Sequence, residues 1–186
     1  MQIIRAVPVS AILYVSRSFH RNIEAPAECP HCRTRHALAA LGYYSRNVTN
    51  VEHGVLRISV RRFRCRACGK TVSVLPSFVQ PYRLVLNVTI SEFFGGTIGT
   101  KALSWLHLLK QYWNRYSEWL PQIDHTVRSV VAHAPPHPDA IGWWQLLAAT
   151  FGDLEKITAE LVGQFGVTLF GRYRCHSPHS PGPPTS

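Results

Sequence analysis

Two pairs of cysteines are the residues best placed to do chemistry in this chain: Cys29-Pro30-His31-Cys32 and Cys65-Arg66-Ala67-Cys68, the second followed at once by Gly69-Lys70. Zinc takes four ligands near the corners of a tetrahedron, and each C-x-x-C step sets two thiolates on one tight turn, so two steps complete a closed site. Gly69 suits this reading, because the residue after the second cysteine often needs a positive φ to turn backbone N–H groups toward the sulfurs. The neighbouring Arg64, Arg66 and Lys70 favour thiolate over thiol. A redox C-x-x-C would instead sit singly at a helix start within an alternating α/β pattern, and that context is missing here. His31 and His36 stand beside the pairs, but four cysteines already fill the shell. A shell closed by thiolates leaves no position for water or substrate, so the Zn2+ expected on Cys29, Cys32, Cys65 and Cys68 is structural. Cys175, beside His176 near the C-terminus, is read as a free thiol.

The charge around these pairs points to a second kind of chemistry. The 186-residue chain carries 20 Lys and Arg against 10 Asp and Glu, a formal net charge of +10. Most of the excess lies between residues 29 and 83, in Arg33, Arg35, Arg46, Arg57, Arg61, Arg62, Arg64, Arg66, Lys70 and Arg83, where Glu52 is the single acid. Arginine's planar fork matches phosphate oxygens and guanine edges, and Tyr43, Tyr44 and Phe63 interleave with these cations, so nucleic acid is the expected partner. DNA leads; RNA is the alternative, because arginine with exposed tyrosine also suits single strands.

Several elements must position these residues. Residues 1–28 read as a lead-in segment, a strand or short helix, with Pro26 delivering the chain in extended form to Cys29. Residues 29–83 read as β: Gly42–Val48 is aromatic and β-prone, Asn50 to Gly54 supplies a turn, and Leu56, Ile58 and Val60 alternate with Arg57, Ser59 and Arg61. The alternation slips at Arg61-Arg62, which predicts a bulge there, and a third strand over 71–75 stops at Pro76. Beyond Pro81 the period turns helical, over 84–94 and then 97–120, where Ala102, Leu106, Leu109, Trp113, Tyr116 and Leu120 form one stripe that Pro121 should end. Further helices are expected over 124–134, 139–151 and 154–165, the last capped by Asp153. The fold class is therefore α+β: a small N-terminal zinc-ribbon β-domain at 29–83, an all-α helical region at 84–173, and a proline-rich tail at 174–186 expected to be disordered.

The blocks Cys29–Cys32, Gly42-Tyr-Tyr-Ser-Arg46, Val60–Thr71, Ser73–Phe78 and Pro81-Tyr-Arg83 come in an order that resembles the DUF6431 family, bacterial proteins with a transposase-like zinc ribbon found around mobile elements. The resemblance implies a DNA-associated module with zinc on Cys29, Cys32, Cys65 and Cys68: an accessory, regulatory or remnant transposase-related protein. In related transposases a helix-turn-helix follows the ribbon, and residues 84–94 with 97–120 occupy that place. That second segment carries only Lys101, Lys110 and Arg115 as cations, however, so its apolar stripe reads as packing rather than as a groove-reading face.

Catalysis is not expected. Glu92, Glu118, Asp124, Asp139, Asp153, Glu155 and Glu160 fall in helices and loops rather than on buried strands that could hold a metal-binding carboxylate set, and the histidines lack an H-E-x-x-H pair. The competing reading is a protein-docking module that meets a transposase, another partner or a second copy through the Trp143-Trp144 cluster and its leucines. The apolar run Ala6–Val15 is too short to span a bilayer, and Ala25-Pro26-Ala27 follows a charged stretch too long for a signal peptide. No membrane partner is expected, and the cysteine usage suits a cytoplasmic protein.

Overall fold

The structure is a computed structural model that describes residues 1–98, 104–128, 131 and 139–172. The expected 135–138 loop, Cys175 with His176, and the proline-rich tail lie outside the described residues. The class is α+β. A four-stranded sheet is built from β1 (Gln2–Arg5), β2 (Leu38–Asn50), β3 (Gly54–Cys65) and β4 (Thr71–Pro76), in the order β1-β4-β3-β2. β1 runs parallel to β4, and the other neighbours are antiparallel. Residues 1–28 are thus part of the sheet unit: β1 pairs Ile3 with Val74, and α1 (Ala11–Ser16), capped by Ser10, packs on β3. Tyr14 of α1 is fully buried, donates its hydroxyl to the Ser59 carbonyl at 3.0 Å, and meets Phe78 edge-on.

The β2–β3 hairpin turns where expected. Asn50 pairs with Gly54, Asn50 Oδ1 accepts from the Glu52 N–H at 2.6 Å, and Gly54 supplies the positive φ of 67°. Along β3, Ile58 and Val60 are buried while Arg57 is exposed, and the burial then shifts by one step so that Phe63 and Cys65 are buried. The extra residue lies on the other strand from the one expected: the register skips Leu41 of β2 between Ala40, opposite Phe63, and Gly42, opposite Arg62, with Gly42 at φ 123°. A bulge on either strand shifts the relative phase of the pair, so β3 alone could not say which one carries it.

Helices α2 (Asn87–Phe94), α3 (Leu106–Val127), α4 (Ala140–Phe151) and α5 (Leu154–Phe165) form a second core, closed by the short hairpin β5 (Val167–Thr168) and β6 (Gly171–Arg172). Phe94 sits at its centre, against Trp113, Tyr116, Trp144 and Phe170 with ring centroids 4.9 to 6.1 Å away. Asp139 and Asp153 cap α4 and α5 by accepting from the Gly142 and Lys156 N–H groups. α3 does not end at Pro121; it continues to Val127. Proline inside a helix costs about 3 kcal/mol. Tyr116, Ile123 and Val127 on either side of it are fully buried, and each such side chain contributes about 1.5–3 kcal/mol, so burial outweighs the break. Trp143, Trp144 and Leu147 are core residues here, 1%, 5% and 0% exposed. Among the described residues no helix is long and apolar enough to cross a membrane.

The two cores are joined around Gln80. Its buried side chain donates from Nε2 to Thr158 Oγ1 of α5 at 2.6 Å, Leu84 N–H donates to the Tyr112 hydroxyl of α3 at 3.0 Å, and Val85 bridges to Thr49 of β2.

Candidate metal centre and its basic surround

Each cysteine pair folds into the same knuckle. In the first, the Cys29 N–H donates to Thr34 O at 3.1 Å and the Arg33 N–H returns to Cys29 O at 2.8 Å; in the second, Cys65 N–H donates to Lys70 O and Gly69 N–H returns to Cys65 O, both at 2.9 Å. The residue after the second cysteine is left-handed in both, Gly69 at φ 71° and Arg33 at φ 58°. Glycine there suits the second knuckle as the sequence suggests. Arginine adopts the same conformation in the first at a cost of about 1–2 kcal/mol.

The knuckles face each other because β2 begins just beyond the first and β3 ends in the second, Leu38 pairing with Cys65. This brings the Cys29 and Cys68 sulfurs to 3.8 Å and those of Cys32 and Cys65 to 3.6 Å, with all four within 4.8 Å of one another and none in a disulfide. A tetrahedral ion with metal–sulfur bonds of about 2.3 Å needs sulfur–sulfur edges of about 3.8 Å, so the set fits one metal ion with little rearrangement. Among the described residues, these four are the one group of His, Cys, Asp and Glu side chains close enough to hold an ion. His31 and His36 are not in it.

The thiols are not equivalent. Cys29 and Cys65 are buried, Cys68 is half-buried and Cys32 is exposed. The Thr34 hydroxyl, 3.3 Å from Cys32 Sγ, and a backbone hydrogen bond at Thr34 hold the Cys32 thiol down at about 6. At Cys68 the Lys70 backbone hydrogen bond also favours thiolate, but burial and the neighbouring sulfurs push the thiol up to about 12. Four sulfurs this close cannot all carry charge unless a cation sits among them. Thr34 was not singled out by the sequence, where nothing distinguishes it from any threonine beside a cysteine.

The ten cations expected to meet nucleic acid divide into groups. Arg33, Arg57, Arg64, Arg66 and Lys70 are exposed and Arg62 is half-buried, and among the described residues no carboxylate pairs with any of them. Arg35 is exposed but ion-paired, its Nε 2.9 Å from Glu28 Oε1. The remaining three make internal contacts. Arg61 donates to the Arg21 carbonyl at 2.9 Å and the Tyr43 hydroxyl at 2.6 Å while lying over the Tyr43 and Phe63 rings. Arg46 donates to the Gln80 carbonyl at 2.8 Å, and Arg83 lies between the Tyr112 and Phe170 rings, 5.4 Å from each. These contacts join residues far apart in sequence, so composition alone could not separate the internal arginines from the exposed ones.

Residues 29–103 match the model of a family described as a domain of unknown function, DUF6431. Neither the curated proteins nor the solved structures give a match to the chain.

Proposed function

We propose that the protein is a zinc-ribbon nucleic-acid-binding protein whose metal is structural and whose exposed cations grip phosphate, with duplex DNA as the partner. Zinc suits the four-sulfur set because it favours closed tetrahedral thiolate sites, and closure leaves it no catalytic position. The observation that carries the reading is the set of exposed cations, without a carboxylate partner among the described residues, on the paired knuckles themselves: Arg33 after the first, Arg64, Arg66 and Lys70 around the second. The metal fixes the turns, and the turns fix where these charges stand. Trp143 and Trp144 are packed in the helical core rather than offered at the surface, which supports this reading over docking through those two side chains. The test is duplex affinity of the double variant Arg64→Glu/Arg66→Glu. Metal content should stay at one ion per chain while affinity falls at least tenfold; unchanged affinity would move the interface away from the knuckles.

A further inference from the structure

The internal arginines pose a separate question, because cations drawn into a protein are expected to meet carboxylates and these do not. Arg46 and Arg83 converge on the β-turn at 80–83. The Gln80 carbonyl accepts both from Arg46 Nη2 at 2.8 Å and from the Arg83 N–H at 3.3 Å. Arg83 and Arg115 converge in turn on Phe170: the Arg83 guanidinium lies over its ring, and Arg115 Nε donates to its carbonyl at 2.9 Å. Three arginines therefore line one seam between β2, the 80–83 turn and α3, with the charge of Arg83 acting on Arg46 and that of Arg115 on Arg83. Arg46 Nη1 and Arg83 Nε are buried there with no hydrogen-bond partner.

The charges acting on the seam agree with the geometry. Burial holds Arg46 below the ordinary arginine range against the Tyr44 and Tyr112 phenols, with a smaller push from the like charge of Arg83; burial and the like charge of Arg115 do the same to Arg83 against the Tyr112 phenol. No carboxylate is among the groups acting on either. Unpaired buried N–H donors and mutually repelling cations each oppose folding, and a multivalent anion relieves both together. The turn is also strained: Tyr82, 76% exposed, adopts φ 60° without being glycine.

We propose that Arg46, Arg83 and Arg115 form a recessed seat for a phosphate group at the junction of the sheet and α3. Phosphate is favoured over a carboxylate because three forks offer more donors and charge than two oxygens and one negative charge can use. The seat is distinct from the exposed knuckle cations and does not depend on the duplex reading.

The test titrates inorganic phosphate into the metal-loaded full chain at constant ionic strength, with chloride as reference, and reads both melting temperature and the arginine Nε–Hε NMR signals. The seat predicts a saturable rise in melting temperature and saturable shifts of the Arg46 and Arg83 signals with a common midpoint. Arg115→Gln should move that midpoint at least tenfold, while Arg17→Gln, an exposed change far from the seam in sequence, should not. If the Arg115 variant folds poorly, the Nε–Hε signals of the unaltered protein carry the test alone. A short single-stranded oligonucleotide that shifts the same signals and competes with phosphate assigns the group to a nucleic-acid backbone; phosphate binding without such competition assigns it to a free phosphorylated solute. Absence of a saturable response, or equal responses from the Arg115 and Arg17 variants, overturns the seat. Loss of duplex binding in Arg64→Glu/Arg66→Glu with the phosphate response intact would concern the knuckles alone.

Discussion

Removing the metal should open the knuckles and leave the sheet. The four backbone hydrogen bonds of the two knuckles, from Cys29, Arg33, Cys65 and Gly69, lie where most side chains from His31 to His36 and from Arg64 to Lys70 are exposed. No apolar cluster replaces the metal there, whereas Val48, Ile58, Val60, Val74 and Leu75 farther along the strands are fully buried. At about 0.5–1.5 kcal/mol net for each hydrogen bond, the four knuckle bonds together hold about 2–6 kcal/mol. Since about 1.4 kcal/mol is a factor of ten, chelation should speed exchange at these amides by about 30-fold to 20,000-fold. Hydrogen exchange followed by NMR, with and without chelator, reads this residue by residue, and Cys65→Ser should reproduce the effect without chelator. Amides of Ile58 and Val60 should stay protected. Unchanged exchange at Cys29, Arg33, Cys65 and Gly69 would refute the idea that the ion holds these turns, and collapse of protection throughout the sheet would show that the apolar core cannot stand without it.

Metal affinity should rise with pH. Cys32, held at about 6, needs no proton displaced above that pH, but Cys68, pushed up to about 12, gives up a proton to the metal across the whole neutral range. Affinity should therefore increase at least tenfold per pH unit from 7 to 9 and more steeply below 6, where Cys32 adds a further proton; a competition titration showing a flat Kd over 7 to 9 would contradict this. Pro121→Ala should restore a helical hydrogen bond in α3 and stabilise the protein by about 2 kcal/mol after allowing for the freer unfolded chain, raising Tm by about 4–8 °C; an unchanged or lower Tm would mean that the proline itself serves the packing. Thr158→Val should leave the buried Gln80 Nε2 without its acceptor and cost about 1–3 kcal/mol in a single denaturant transition, whereas two separate transitions would show that the sheet and helical cores fold independently.

What could be read from the sequence followed from local rules. The four cysteines, Gly69, the Asn50–Gly54 turn, the alternation of β3 and the Asp153 cap each express a short-range requirement of spacing or φ, and all stand in the structure as those requirements demand. What could not be read depends on partners distant in the chain. β1 finds β4 some seventy residues on, the bulge falls on Leu41 rather than on Arg61-Arg62, and α3 passes through Pro121 because Ile123 and Val127 are buried by other helices. The same holds for charge. Arg61 and Arg64 look alike in sequence, yet one clamps Arg21 and Tyr43 and the other is exposed. Arg115, on a helix whose pattern speaks only of packing, meets the ribbon's Arg83 across Phe170.

Whether the cations on the knuckles grip phosphate can be read from the affinity of the zinc-loaded protein for a labelled duplex across a salt series, beside Arg64→Glu/Arg66→Glu. Neutralising several phosphates through Arg33, Arg57, Arg62, Arg64, Arg66 and Lys70 predicts a log–log slope of about −3 to −5 for the unaltered chain and a slope shallower by about 2 for the variant. A slope near zero, or the same slope for both proteins, would mean that these cations do not meet the duplex.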